Sequence, residues 1–265
     1  MASPYLEIKH VTKSFGDYTA LQDVSLDIRR GEFVSLIGHS GCGKSTLLSL
    51  IAGLTRITSG SLTLEGTTIT KPGADRGMVF QHHSLLPWLS VYENIAEAVD
   101  AVFRDRRVLK RAERRTRIER LLRAVRLWEH RDKKPGQISG GQRQRCAVAR
   151  AFAVQPRVLL MDEPFGAIDA LTKSALHDEL LSLWAEDSET ETVIMVTHDI
   201  DEAIYLSDRI VVMTDGPRAG IREVVEVPLS RPRDKRGMLH DPRYAVTKEH
   251  LLDLLTSGLA VTGAA

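Results

Sequence analysis

The sequence predicts an α/β protein in which a parallel-sheet core is joined to an antiparallel β subdomain and an α-helical subdomain. Three observations carry that prediction. Unbroken apolar, β-branched runs recur between turn residues: EFVSLIG at 32–38, RVLLMDE at 157–163, TVIMVTHD at 192–199 and RIVVMTDG at 209–216. Such runs suit strands buried on both faces, as in a parallel sheet covered by helices. Alternating runs, YLEIKHV at 5–11, DVSLDI at 23–28 and SLTLEG at 61–66, suit strands of a half-exposed antiparallel sheet. Residues near 92–134 suit helices, with Ile118, Leu121, Leu122, Val125 and Trp128 spaced along one apolar stripe.

The 265 residues, 43% hydrophobic and 27% charged, can bury a sizeable core as one large domain or one domain with a subdomain. A formal net charge of +1 gives no global reason to expect nucleic acid or an anionic membrane as partner. The charge is uneven, however: Arg104 to Lys134 holds fourteen Lys and Arg against five Asp and Glu. Those cations lie opposite the apolar stripe. They read either as a solvated helix surface or as a contact for headgroups or nucleic acid, and the lack of interleaved aromatics favours the first.

The two cysteines, Cys42 and Cys146, form no CxxC, and no histidines stand at metal-ligand spacing. This points away from a disulfide framework or a zinc site and toward a reducing, cytoplasmic compartment. The start MASPYLEIKH lacks the pattern of a signal peptide, and no apolar run approaches the roughly 20 residues of a membrane-spanning helix. Work at a membrane would be done from the side, through a partner. The ending TSGLAVTGAA is expected to fray.

The stretch GHSGCGKST, Gly38 to Thr46, follows the strand FVSLI and opens the helical run STLLSLIAGL. Gly38, Gly43, Lys44 and Ser45 meet the pattern GxxxxGK[ST] of the phosphate loop. Glycines let successive N–H groups curl toward phosphate oxygens, and the helix from Lys44 adds its positive end. Lys44 would reach the β- and γ-phosphates and the Ser45 hydroxyl would ligate Mg²⁺, with His39, Ser40, Gly41, Cys42 and Thr46 completing the cradle. A triphosphate is the expected ligand. RVLLMDE then supplies Asp162 at a strand end for the metal and Glu163 as candidate general base. His198 closes VIMVTH at the same end of a neighbouring parallel strand, where such sheets collect ligands.

Between these sites lies ISGGQRQR, Ile138 to Arg145. With GHSGCGKST, RVLLMDEP and VTHD it resembles the nucleotide-binding subunit of an ATP-binding cassette (ABC) transporter, a P-loop NTPase, in the expected order from about Tyr5 to Asp215. The resemblance implies an ATPase domain at 1–227, with a helical subdomain at roughly 85–155, and a short tail at 228–265. It implies that two copies, or one copy and a related ATPase subunit, sandwich two ATP molecules. Each ATP would lie between one phosphate loop and Ser139, Gly140, Gly141 and Gln142 of the other chain. By the same resemblance Phe15 maps to the aromatic that stacks on adenine, the alternative being a core Phe at a strand end. Gln81 matches the glutamine that contacts Mg²⁺ and the attacking water. His198 would touch the γ-phosphate, and Asp169 would lie in a loop crossing the dimer interface. The chain departs from the usual pattern at His39 (usually Pro), at Ile138 (usually Leu) and at Gly166 to Asp169 (usually Ser-Ala-Leu-Asp), none of which removes a phosphate, metal or water ligand.

The stretches QHHSLLPWLSVYENI, DEPFGAIDALT, HDIDEAIYLSDRIVVMTDGP and VPLSRPR are similar to the importer branch for nitrate, sulfonates, taurine and related small anions. The His in the phosphate loop and the tail EVPLSRPRDKR with HDPRYAV most resemble the nitrate, cyanate and bicarbonate group. That implies an integral membrane permease as partner and, indirectly, an extracytoplasmic solute-binding protein. The chain would sit peripherally on the cytoplasmic face of the cell membrane, with no nucleic acid as partner. SLLPW at 84–88 reads as a groove for a short permease helix or as packing within the chain's own helical subdomain. A sulfonate or taurine importer is the nearest alternative. A soluble ABC ATPase on ribosomes or DNA would carry paired cassettes or long insertions, which this chain lacks, and a phosphate-loop kinase has no use for SGGQ.

Overall fold

A computed structural model describes residues 4–82, 84–103, 111–166, 168–187 and 189–257. In chain order the elements are β1 (Leu6–Phe15), β2 (Tyr18–Ile28), β3 (Phe33–Ile37), α1 (Lys44–Ile51), β4 (Ser59–Leu64), β5 (Thr67–Thr68), β6 (Arg76–Val79), α2 (Val91–Phe103) and α3 (Arg111–Ala124). There follow α4 (Gly140–Ala153), β7 (Val158–Asp162), α5 (Ala170–Glu186), β8 (Thr192–Val196), α6 (Ile200–Leu206), β9 (Arg209–Met213), β10 (Ile221–Glu226), α7 (Lys235–His240) and α8 (Pro242–Thr256). The chain divides into two compact units, Met1–Pro72 with Thr192–Ala265, and Gly73–Glu191.

In the first unit β3 runs parallel to both β8 and β9, and β10 closes antiparallel on β9. All five residues of β3 and of β8 are buried, as their unbroken apolar runs require. The one hydroxyl in β3, Ser35, is matched by Ser207 at 2.5 Å. A second sheet, in the order β2-β1-β4-β5, is antiparallel throughout and alternates buried with exposed residues. Its first two strands run past their expected ends because Phe15 pairs with Tyr18 across a tight turn. After Val227 the chain forms α7 and α8, capped by Asp234 and Asp241. Met238, Tyr244 and Leu251 of these helices are buried. Of the ending expected to fray, residues 258–265 lie outside the described residues.

In the second unit β6 and β7 form a parallel pair and α2, α3, α4 and α5 supply the helices. The stripe expected to continue to Trp128 is a helix only to Ala124. Arg126 adopts a left-handed φ of 54°, and the Leu127 N–H reaches back to the Leu122 carbonyl at 2.7 Å, which closes the helix. Ile118, Leu121, Leu122 and Val125 are buried as expected. Trp128 instead lies beyond the helix, with the Arg123 and Arg131 guanidinium groups 4.9 and 4.6 Å from its ring centre. Arg114 forms a two-pronged pair with Asp100 at 2.6 and 2.7 Å, and Arg126 pairs with Glu179 at 3.2 Å. These four cations are engaged within the chain. Residues 104–110 of that segment lie outside the described residues. No helix among the described residues is long and apolar enough to cross a membrane.

Candidate nucleotide site

The phosphate loop spans the turn between β3 and α1. Gly43 is the N-cap of α1 at φ 92°, a left-handed backbone that favours glycine, and a Cβ there would also stand 2.7 Å from Leu21 Cδ2. No side chain caps α1 and no acidic residue stands in its first turn, leaving the positive helix end to an anion. Lys44 is 6% exposed, and its ammonium donates to the carbonyls of Gly38 at 2.7 Å and His39 at 2.8 Å. The loop is thereby folded around its own lysine. Ser40, Gly41 and Ser45 are exposed, Thr46 is half-buried, and Cys42 turns its thiol into the core.

His39 is held from outside the loop: its Nδ1 lies 2.6 Å from Asp215 Oδ1, just past β9. The same turn approaches the loop at Gly216, where a Cβ would lie 3.1 Å from the Gly41 carbonyl oxygen. Nothing local in the sequence signals Asp215, because the contact bridges 176 positions. His198 follows β8, whose Val196 pairs with Leu36 of β3. It therefore stands level with Gly38 at the same end of parallel strands, exposed as a ligand contact requires. Phe15 is 50% exposed at the end of β1, with Lys13 Nζ 4.4 Å from its ring centre, which rules out the core alternative and leaves a ring face for stacking.

The acidic pair belongs to the second unit. Val79 of β6 pairs with Met161 of β7, so Gln81 and Glu163, each two residues further on, emerge side by side. The Gln81 amide N–H donates to Glu163 Oε2 at 3.2 Å, leaving its carbonyl oxygen to a cation or water. Glu163 has a left-handed φ of 45°, unusual outside glycine and common where a site over-determines the backbone. Asp162 is half-buried at the end of β7. The Asp162 carboxylate and the Gln81 carboxamide oxygen are donors of the type that suits a hard divalent cation, so these residues fit Mg²⁺.

Ser139 caps α4 through a reciprocal pair: the Gln142 N–H donates to Ser139 Oγ at 3.2 Å, and the Ser139 N–H to Gln142 Oε1 at 3.0 Å. The α4 first turn also lacks acidic residues, and Ser139 is exposed at its tip. Gly140 and Gly141 are half-buried, and a Cβ on Gly141 would lie 2.8 Å from Thr172 Cγ2. Thr172 in turn donates its N–H to Asp169, the cap of α5, at 3.0 Å, and this bond lowers the Asp169 carboxyl below the usual range. Gly141 is thus packed against the start of α5 that Asp169 caps, a link the sequence motifs did not disclose.

The SLLPW turn is pinned by Asn94, which is 1% exposed. Its carboxamide accepts from the Leu86 N–H at 2.8 Å and donates to the carbonyls of Leu86, Leu89 and Ser90 at 3.1, 3.2 and 2.9 Å. On that stiff turn Trp88 is 65% exposed, so it does not pack within the chain's own helical part, while Leu85 and Leu86 are half-buried.

A family model described as ABC transporter matches residues 21–166. The chain is 49% identical over 255 residues to the nitrate import ATP-binding protein NrtD of Synechococcus elongatus, covering 95% of this chain and 91% of that one. It is 48% identical to the bicarbonate transport ATP-binding protein CmpD of Synechocystis, covering 97% and 90%. To the nitrate transport protein NasD of Klebsiella oxytoca it is 47% identical, covering 95% and 96%. A solved dimeric ATP-binding cassette in a post-hydrolysis state with ADP and Pi matches with a TM-score of 0.74 and 34% identity, over 85% of this chain and 100% of that one.

Proposed function

This chain belongs to the ABC transporter family, and from that premise we propose that it is the ATP-hydrolysing subunit of an importer for a small anion, nitrate foremost. The observation that carries the reading is near-full-length identity, close to half of all positions, to nitrate and bicarbonate transport subunits.

ATP would seat its phosphates on the loop Gly38 to Thr46. There Lys44 exchanges its carbonyl partners for phosphate oxygens, and Phe15 stacks on the base. Ser45, Asp162 and Gln81 would hold Mg²⁺, which would supply neutralisation of the charge that develops at the phosphates. Glu163 would take the proton of the attacking water, its carboxylate oriented by the Gln81 amide. His198 would contact the γ-phosphate. A second copy or a related subunit would close the site with Ser139, Gly140, Gly141 and Gln142, presenting the N-terminal end of α4, whose first turn holds no acidic residue, to the phosphates. Binding then favours the closed dimer and hydrolysis removes the bridge.

The permease would dock on the turn that carries Trp88, holding this subunit at the cytoplasmic face of the membrane while a solute-binding protein delivers cargo outside. Residues 1–227 would act as the ATPase domain and 228–265 as its tail. Uptake of labelled nitrate, bicarbonate and taurine in cells lacking this chain tests the reading, with wild type or Glu163→Gln restored. Nitrate uptake returning with wild type alone is expected. Return of bicarbonate or taurine uptake instead would reassign the cargo, and return of none would overturn the importer reading.

A further inference from the structure

The tail after Pro228 grips α6 at both ends. At the start of that helix the Tyr244 hydroxyl donates to Asp201 Oδ1 at 2.7 Å, and Lys248 Nζ lies 2.7 and 3.0 Å from the two Asp201 oxygens. At its end Arg233, whose side chain is 3% exposed, donates to the carbonyls of Ile204, Tyr205 and Ser207 at 3.0, 2.9 and 2.7 Å. These carbonyls are among those a helix end leaves without intrahelical partners. Arg231 adds a bond to the Leu206 carbonyl and one to Asp208 at 2.8 Å. α6 is only seven residues long and is held by burial of Ala203, Ile204 and Leu206 in its middle, while these bonds fix its two ends.

The first turn of α6 in turn defines His198. On one side Thr197 bonds the Glu202 carboxylate through its hydroxyl. On the other, Asp199 accepts from the Glu202 N–H at 3.1 Å, and its own N–H reaches Thr197 Oγ1 at 3.1 Å. His198 is therefore suspended between two residues that are both tied to Glu202, one position from the Asp201 that α8 holds.

We propose that the tail is a brace for catalysis: Tyr244 and Lys248, acting through Asp201 and the first turn of α6, are positioning residues for His198. The inference rests on reading His198 as the γ-phosphate contact. Loosening α6 then misplaces that imidazole while leaving the phosphate loop, and hence ATP affinity, as it was.

The test compares the full chain with Tyr244→Phe/Lys248→Met, which keeps both side chains' apolar bulk, and with Lys248→Arg as the conservative control. Steady-state hydrolysis, thermal melting and NMR of ¹³C-labelled histidine rings are read together, the His198 signal being assigned by its loss in His198→Ala. The double variant is expected to lower kcat roughly three- to tenfold with KM for ATP unchanged. The His198 ring signal should shift while the His39 signal stays in place, and Lys248→Arg should keep kcat near wild type. Adding Asp201→Ala to the double variant should cost nothing more, because the same bonds are already gone. A fall in kcat with the His198 signal unmoved, or no change in either, overturns the brace. If the double variant fails to fold, Tyr244→Phe alone is measured by the same criteria. Should wild type hydrolyse no ATP, the proposed function falls, and the His198 signal still decides whether the tail positions that ring.

Discussion

The Gln81 amide donates to the Glu163 carboxylate at 3.2 Å, both residues standing two positions beyond the parallel pair Val79 and Met161. The bond orients the proposed base, which a left-handed backbone already holds at the strand end. Gln81→Ala should therefore slow ATP hydrolysis by about tenfold or more, with ATP affinity within about twofold of wild type. Steady-state kinetics beside an equilibrium nucleotide titration separates the two effects.

Lys44 is buried against two carbonyls, which it would leave to meet phosphate as proposed. Lys44→Ala removes a charge-assisted partner of the phosphates and frees the loop it organises, and should weaken ATP binding by about a hundredfold. Circular dichroism matching wild type would show that the loss belongs to the site.

Burial pushes the Cys146 thiol up from the ordinary 9.0 to about 12, with Arg150 pulling weakly the other way. Between pH 9 and about 12 the unfolded chain gives up this proton and the folded chain keeps it. Folding stability is therefore whole below pH 9 and falls as pH rises through that window, by at most about 1.4 kcal/mol per unit. Urea unfolding at pH 8 and pH 10 should show a smaller loss in Cys146→Ala than in wild type, and native Cys146 should resist thiol reagents at pH 8.

Trp88 is presented by a turn that Asn94 holds with four hydrogen bonds. Trp88→Ala should leave hydrolysis by the isolated chain unchanged yet abolish transport. Asn94→Ala, by stranding buried main-chain groups, should cost about 1–3 kcal/mol in addition. Uptake assays and urea melts on the two variants distinguish lost docking from lost stability.

The strands and the phosphate loop were legible because their physics is local. Burial on both faces leaves an unbroken apolar run such as VLLM in β7, and close backbone approach to phosphate leaves glycines at fixed offsets. What was hidden depends on residues far apart in the chain: Asp215 against His39, Gly141 against Thr172, and the tail arginines against α6. The end of α3 was hidden for another reason, since Arg126 adopts a left-handed turn that its side chain does not advertise. Asn94, inside a helical run, gave no sign that it serves the turn before it.

The most direct test of the account is hydrolysis and solution mass of Glu163→Gln with ATP. The account predicts turnover reduced at least about a hundredfold, retained ATP binding, and a stable particle of twice the 29.5 kDa chain mass that falls apart without nucleotide. Hydrolysis by Glu163→Gln at the wild-type rate would contradict it.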